Sequence, residues 1–400
     1  MSYRSHTNCR VCGSDKLIPY LNLGYLPLSN NLAESTLDKV HNERYPLEVL
    51  LCEKCGLSQL SIVIPPEQMF SHYVYRSGIS QGYINHCKQM AADIPLNKDC
   101  FHIDIAGNDG TLLQQFKERY GHNVLNIDPA VNLVGLCEAA GIPVLNYFWG
   151  MDVARRIVNS GPRADLITAT NVFAHVDNVN EFIQAAKYLL KPTGILVMEF
   201  PYLIDFIEGK EFDTVYFEHL SYFSIYPLTI LCESTGLTVM NVTKQNIHGG
   251  SVRVIIGFGD QDETVAEFVK NETKYRTNGP YIEFAEDVQL AIQNFRGWVL
   301  SCQGTIAGFA ASAKGNTLLN CAGITCGSIR YIVDDTPEKI GKYSPGTRIP
   351  IVAMRDMLRN PPDYLVILSW NFGEEIMSKC RIAGYTGKFV IPIPELKVID

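Results

Sequence analysis

Two groups of residues in this chain have the types and spacing that chemistry needs. The first lies in residues 212–224, FDTVYFEHLSYFS, where Asp213, Tyr216, Glu218, His219 and Tyr222 sit among apolar neighbours that would hold them out of bulk water. A histidine next to a carboxylate is a common way to tune and orient a base near neutral pH. Tyr216, Glu218 and Tyr222 are separated by even numbers of residues, so an extended segment would carry them on one face. The second group is Cys9 and Cys12 (CRVC) with Cys52 and Cys55 (CEKC). Two CxxC pairs supply four thiolates, the full set for a closed structural zinc tetrahedron with no position left for catalysis. Gly13 and Gly56 follow the pairs and suit the tight turns that aim backbone amides at metal-bound sulfur.

The remaining composition narrows the function class. The 400 residues are 46% hydrophobic and 19% charged, enough for two or three domains, each with its own core. A net charge of −8 argues against a nucleic-acid binder. No apolar run is long enough to span a membrane, and the start, MSYRSHTNC, has no signal-like apolar core. The twelve cysteines are mostly single and set in apolar segments, as expected of reduced thiols in a cytoplasmic protein. A cytoplasmic monomer with no nucleic-acid or membrane partner is the expectation.

The elements that must position these groups alternate between strand and helix. Strands are expected at 101–106, 123–127, 142–145, 165–169 and 194–200, with an amphipathic helix TLLQQFKERY after the first. This is the βαβ pattern of an open, mostly parallel sheet, which binds ligands outside the carboxyl ends of its strands. The turn AGNDG after strand one lets a ligand approach the backbone, and Asp128, at the end of strand two, can take ribose hydroxyls. Both NAD proteins and S-adenosylmethionine enzymes use that arrangement. A GxGxxG fingerprint is absent, which counts against NAD. The direct run from Asp104 into the turn favours S-adenosylmethionine, with Gly107, Asn108, Gly110 and Asn171 also on the donor side.

His175, in NVFAHV, falls on the same sheet edge and is placed to touch a substrate. Tyr75 and Arg76, in HYVYRSGIS, occupy a connecting segment that can reach into a neighbouring site or pack the small domain onto the next. The glycine pair of IHGGSVRV leads into a further strand. Residues 261–296 have helical spacing and join a second βα series, with strands at 305–309, 329–333, 349–352 and 364–368. Between the first two of these, Lys314 and Asn316 in AKGNTLLN stand at a helix start, a candidate anion cradle without P-loop spacing.

In this order, the paired CxxC module, DIAGNDGTLL, NVFAHV, YFEHLSYFS, HGGSVRV, AKGNTLLN and DDTPEKIGKYSPGT make the chain resemble the nucleotide-sugar C-methyltransferases over nearly its whole length. The resemblance implies an α/β protein of three parts. These are a zinc-binding domain (1–70), a Rossmann-like S-adenosylmethionine methyltransferase domain (71–260) and a Rossmann-like substrate domain (261–400). It implies methylation of C3 on a nucleotide-linked 4-keto-deoxysugar, with dTDP or GDP as the nucleotide. It also implies catalytic roles for Tyr216, Glu218 and His219, a sugar-facing His175, and a substrate-facing Tyr75. Glu218 is expected to orient His219, and Tyr75, Arg76, Tyr222, Lys314 and Asn316 to meet the substrate. Two positions depart from the family pattern. Phe217 replaces a histidine, and Ala106 replaces the glycine that opens the donor turn, which is tolerable if Ala106 keeps a negative φ. An O-methyltransferase, or a zinc-stapled binder without turnover, are the alternatives.

Overall fold

The computed structural model describes residues 3–247 and 249–400. His248, the histidine of the HGG run, lies outside the described residues. The described residues fold around three larger sheets, with one two-stranded ribbon of Arg4–Ser5 and Ile62–Val63. Residues Leu17–Leu26, Tyr45–Cys52 and Ser58–Leu60 pair antiparallel in the N-terminal module. Its fourth strand, Ser221–Tyr222, comes from far along the sequence and pairs with Ser58 and Gln59.

The central sheet has seven strands. In spatial order they run Val144–Leu145, Asn123–Ile127, Phe101–Ile105, Ala164–Thr170, Leu190–Pro201, Ser251–Gly257 and Thr238–Gln245. The first five are parallel, and Ser251–Gly257 enters antiparallel beside Leu190–Pro201. Strand order reverses at Phe101–Ile105, where a doubly wound sheet opens a crevice beyond its carboxyl ends. Ile103 and Ile105, Leu166 and Ile167, and Leu196 to Met198 are buried, the run of apolar side chains that a sheet covered on both faces requires.

Two helices, Glu263–Asn271 and Gly279–Ser301, lead to the third sheet. It is parallel in the order Ile351–Val352, Ile332–Val333, Ile306–Phe309, Tyr364–Ile367 and Lys388–Ile391, with Lys397–Ile399 antiparallel at its edge. The expected α/β class, with a cysteine-bearing N-terminal module and two Rossmann-like sheets, is the observed one. Among the described residues, no helix is long and apolar enough to cross a membrane.

Residues 212–224 do not form the expected extended segment. Phe212–Thr214 is a single 3-10 turn, and the amide of His219 donates to the carbonyl of Tyr216 (2.9 Å). Side chains three apart on a strand lie on opposite faces, whereas this turn brings Tyr216 and His219 to the same side, with ring centroids 4.1 Å apart. Only Ser221–Tyr222 is extended.

Candidate active site and zinc centre

The four cysteine sulfurs lie within 4.8 Å of one another, with Cys9 Sγ 3.4 Å from Cys55 Sγ and Cys12 Sγ 3.6 Å from Cys52 Sγ. A zinc tetrahedron with Zn–S bonds of about 2.3 Å has sulfur–sulfur edges of about 3.8 Å, so this set fits the ion. Gly13 and Gly56 adopt φ of +69° and +75°, and their amides close the knuckles onto the carbonyls of Cys9 and Cys52. Four thiolates complete the coordination, which makes the zinc structural.

Beyond the carboxyl ends of the central strands lies a cavity of about 530 Å³. One wall is the turn after Phe101–Ile105. Asp104 is fully buried; its Oδ1 accepts from Thr168 Oγ1 (2.7 Å), while Oδ2 has no hydrogen-bond partner. Burial pushes its carboxyl up to about 7. At Gly107 a Cβ would come within 2.5 Å of Asp104 Oδ2 and Asn126 Oδ1, so the backbone must stay bare. The amide of Asn108 donates to Asp128 Oδ2 (2.9 Å), and that of Ala130 to Asp128 Oδ1 (2.8 Å). An unpartnered buried acceptor, a bare backbone and a carboxylate at the end of strand two fit a donor carrying an ammonium group and a ribose. Asp104, Gly107, Asn108, Asp128 and Asn171 all line this wall.

The turn corrects one expectation outright. Ala106 has φ +55°, not a negative angle. Asn108 and Asn171 are also left-handed, at +55° and +54°, which asparagine tolerates better than alanine. Asn108 spends its side chain on the connecting segment, accepting from the amide of Ser77 (3.0 Å) and donating to the carbonyl of Tyr75 (3.1 Å). Gly110 shapes the turn at φ +80° and packs against Ile142, away from the cavity.

The opposite wall carries His175, Thr214, Tyr216 and His219. His219 Nδ1 lies 2.8 Å from the carbonyl of Thr214 and Nε2 lies 2.9 Å from the hydroxyl of Tyr216. A carbonyl oxygen only accepts, so Nδ1 carries the proton and Nε2 is the basic nitrogen, receiving the hydrogen bond of Tyr216. The ring of His175 is 4.9 Å from that of His219, and burial pulls it down to about 4, leaving a neutral imidazole. Tyr75 is 48% exposed and lines the cavity, as does Tyr73 of the same connecting segment.

Other expected site residues stand elsewhere. Glu218 does not orient His219. It is 2% exposed, its Oε1 accepts from Asn30 Nδ2 (3.1 Å), and it lies off the cavity wall, because the turn at 216–219 points it towards the N-terminal module. Tyr222 is buried as an edge strand of that module, its ring stacked on Phe206. Phe217 packs edge-on against Tyr45, so the departure at that position falls on a packing contact rather than on the cavity. Arg76 pairs with Glu338 (3.7 Å). Asn316 is 1% exposed and donates to the carbonyl of Ser29 (2.8 Å), off the cavity. Lys314 does line the cavity, paired with Glu211 (3.1 Å) and lying over the ring of Trp370. The cradle beside it is narrower than expected, because Ser312 Oγ already takes the amide of Gly315 (3.1 Å).

Three family descriptions match successive parts of the chain: "Putative zinc binding domain" over residues 9–70, "Methyltransferase domain" over 85–242, and "C-methyltransferase C-terminal domain" over 246–394. The C-methyltransferase NovU of Streptomyces niveus is 33% identical over 98% of this chain and 96% of its own length. A ubiquinone biosynthesis O-methyltransferase of Azorhizobium caulinodans is 30% identical, but over 24% of this chain and 38% of its own. Among solved structures, an S-adenosylmethionine-dependent methyltransferase from Clostridium acetobutylicum aligns with a TM-score of 0.34 and 10% identity, covering 44% of this chain and 91% of its own.

Proposed function

The chain belongs to the C-methyltransferase family, and from that premise we propose that it methylates C3 of a dTDP- or GDP-linked 4-keto-6-deoxysugar through an enolate, in branched deoxysugar biosynthesis. One observation carries the reading: a single cavity is lined by the donor turn and by the Tyr216–His219 pair. S-adenosylmethionine, when bound, supplies an electrophilic methyl group for a carbanion. Asp104, Asp128 and the turn at 106–108 would hold it.

The chain's own residues then have to make that carbanion. A ketone at C4 acidifies the hydrogen on C3, because the charge left behind delocalises onto oxygen. His219 takes the proton at Nε2, with Tyr216 as relay: the phenol oxygen accepts the substrate proton as its own passes to Nε2. The carbonyl of Thr214, in the place expected of Glu218, holds Nδ1–H and steadies the imidazolium. His175, a neutral imidazole, donates to the developing enolate oxygen, where a preplaced donor helps most. Tyr75 borders the sugar, and Lys314 reaches the diphosphate from the C-terminal domain.

The test is the mass of dTDP- and GDP-linked 4-keto-6-deoxysugars after incubation with the protein and S-adenosylmethionine. Gain of one methyl with a new C-methyl proton signal is expected on one of them. In deuterated water without the donor, the C3 hydrogen exchanges with the native protein. His219→Asn abolishes that exchange; exchange at the native rate in this variant would remove His219 as the base.

A further inference from the structure

The loop that follows Leu17–Leu26 in the zinc module reaches the buried carboxylate of Glu218 through one side chain, Asn30. Its Nδ2 donates to Glu218 Oε1 (3.1 Å), while Oε2 is buried without a hydrogen-bond partner. The loop is clamped on both sides by the C-terminal domain. Asn316 Nδ2 donates to the carbonyl of Ser29 (2.8 Å), and Ser29 Oγ meets Thr317 Oγ1 (3.0 Å). Ala33 and Tyr343 exchange both backbone hydrogen bonds (2.9 and 2.8 Å). A side chain held on such a rigid base fixes what it touches.

We propose that Asn30 is a positioning residue for Glu218, which it orients and helps to ionise, so that the zinc module sets the charge one residue from His219 in the reacting segment of the neighbouring domain. The inference rests on the reading of residues 216–219 as the reacting segment. The chemistry of the surroundings leaves that task to Asn30. Glu218 is pushed up to about 7 by burial, and the hydrogen bonds of its own backbone amide and of Asn30 pull the other way. Among the described residues, the phenols of Tyr73, Tyr216 and Tyr222 interact electrostatically with it, all held neutral by burial. A phenol offers no positive charge to a carboxylate. The Asn30 amide at Oε1 is therefore the side-chain donor that, with the backbone amide, favours the ionised form of Glu218 against burial.

The test replaces the donor by an isosteric acceptor, Asn30→Asp, with Asn30→Ala as a second variant in case the paired carboxylates impair folding. Full-length protein labelled with 13C at the glutamate carboxyl carbons is titrated by NMR, the Glu218 signal being the one missing in Glu218→Gln. The expected result is a Glu218 titration at least one pH unit higher in both variants. In parallel, the acidic limb of kcat/KM moves up by the same amount, so turnover falls about fivefold at pH 7 and returns to within twofold at pH 9. An unmoved Glu218 titration overturns the inference. A uniform loss of activity across pH overturns it as well, since that is what mere loosening of the module produces. A moved titration with an unmoved activity limb upholds the grip of Asn30 and instead removes Glu218 from the working groups of the reaction.

Discussion

Ala106 turns left-handed at the mouth of the donor turn, where an L side chain is strained by about 1 kcal/mol. Ala106→Gly should relieve that strain, against a smaller entropic loss in the unfolded chain. Its thermal midpoint is expected to rise by a few degrees and S-adenosylmethionine binding, read by calorimetry, to tighten; a fall in both would show that the methyl group packs more than it strains. At the opposite wall, Tyr216→Phe removes the hydroxyl on His219 Nε2 while leaving the ring in place. Turnover should fall on the order of 100-fold, with donor affinity unchanged. The identities of Tyr216 and His219 were legible as chemistry in the sequence. The partner of His219 was not, because the neighbour along the chain, Glu218, is carried away by a turn that only the packed structure imposes.

The two-residue strand Ser221–Tyr222 fastens the reacting segment to the sheet that the zinc knuckles organise, since Cys52 ends one strand and Ser58 begins the next. Removing zinc should therefore reach the chemistry from a distance. After extraction with a strong chelator, or in Cys52→Ser, zinc content falls and C3 deuterium exchange is expected to drop at least tenfold. Thermal unfolding should show loss of the N-terminal module first. Full exchange in metal-free, folded protein would contradict the coupling. Most parallel strands of the two βα sheets could be placed from sequence to within a few residues, because apolar runs between turn residues are local signals. Lys388–Ile391, Thr238–Gln245 and Lys397–Ile399 were not placed. A two-residue strand recruited by another domain leaves no such periodicity, and Tyr222 read as a substrate contact for that reason.

Across the whole molecule, four buried carboxylates share one property. Asp104, Glu211 and Glu218 are pushed up to about 7, and Asp128 to about 6, each by burial first. Each folded value lies above the unfolded one, so the folded protein holds more protons between about pH 4.5 and 7. The stability these four groups contribute is greatest below that window and is lost as pH rises through it. His6, His102, His122 and His175, whose pKa values burial lowers, act the other way below the ordinary histidine range. Above the histidine range, from about pH 6.5 to 7.5, the ligand-free thermal midpoint should fall, and cationic S-adenosylmethionine should raise it more at pH 7.5 than at 6.5. A midpoint that climbs over this range would mean these groups ionise freely in the fold. The three parts grip one segment together: Lys314 holds Glu211, Trp370 donates to Asp213 (2.9 Å), and Asn30 holds Glu218. The sequence by itself determined the paired cysteines, the two βα series, the turn after Phe101–Ile105 and the nearness of Tyr216 to His219, because these depend on spacing along the chain. Tertiary structure decided the angle at Ala106, the departure of Glu218, Tyr222 and Asn316 from the cavity, and the arrival of Asn30. Contacts between residues more than a hundred positions apart are set by how the sheets dock, and nothing local in the sequence encodes them.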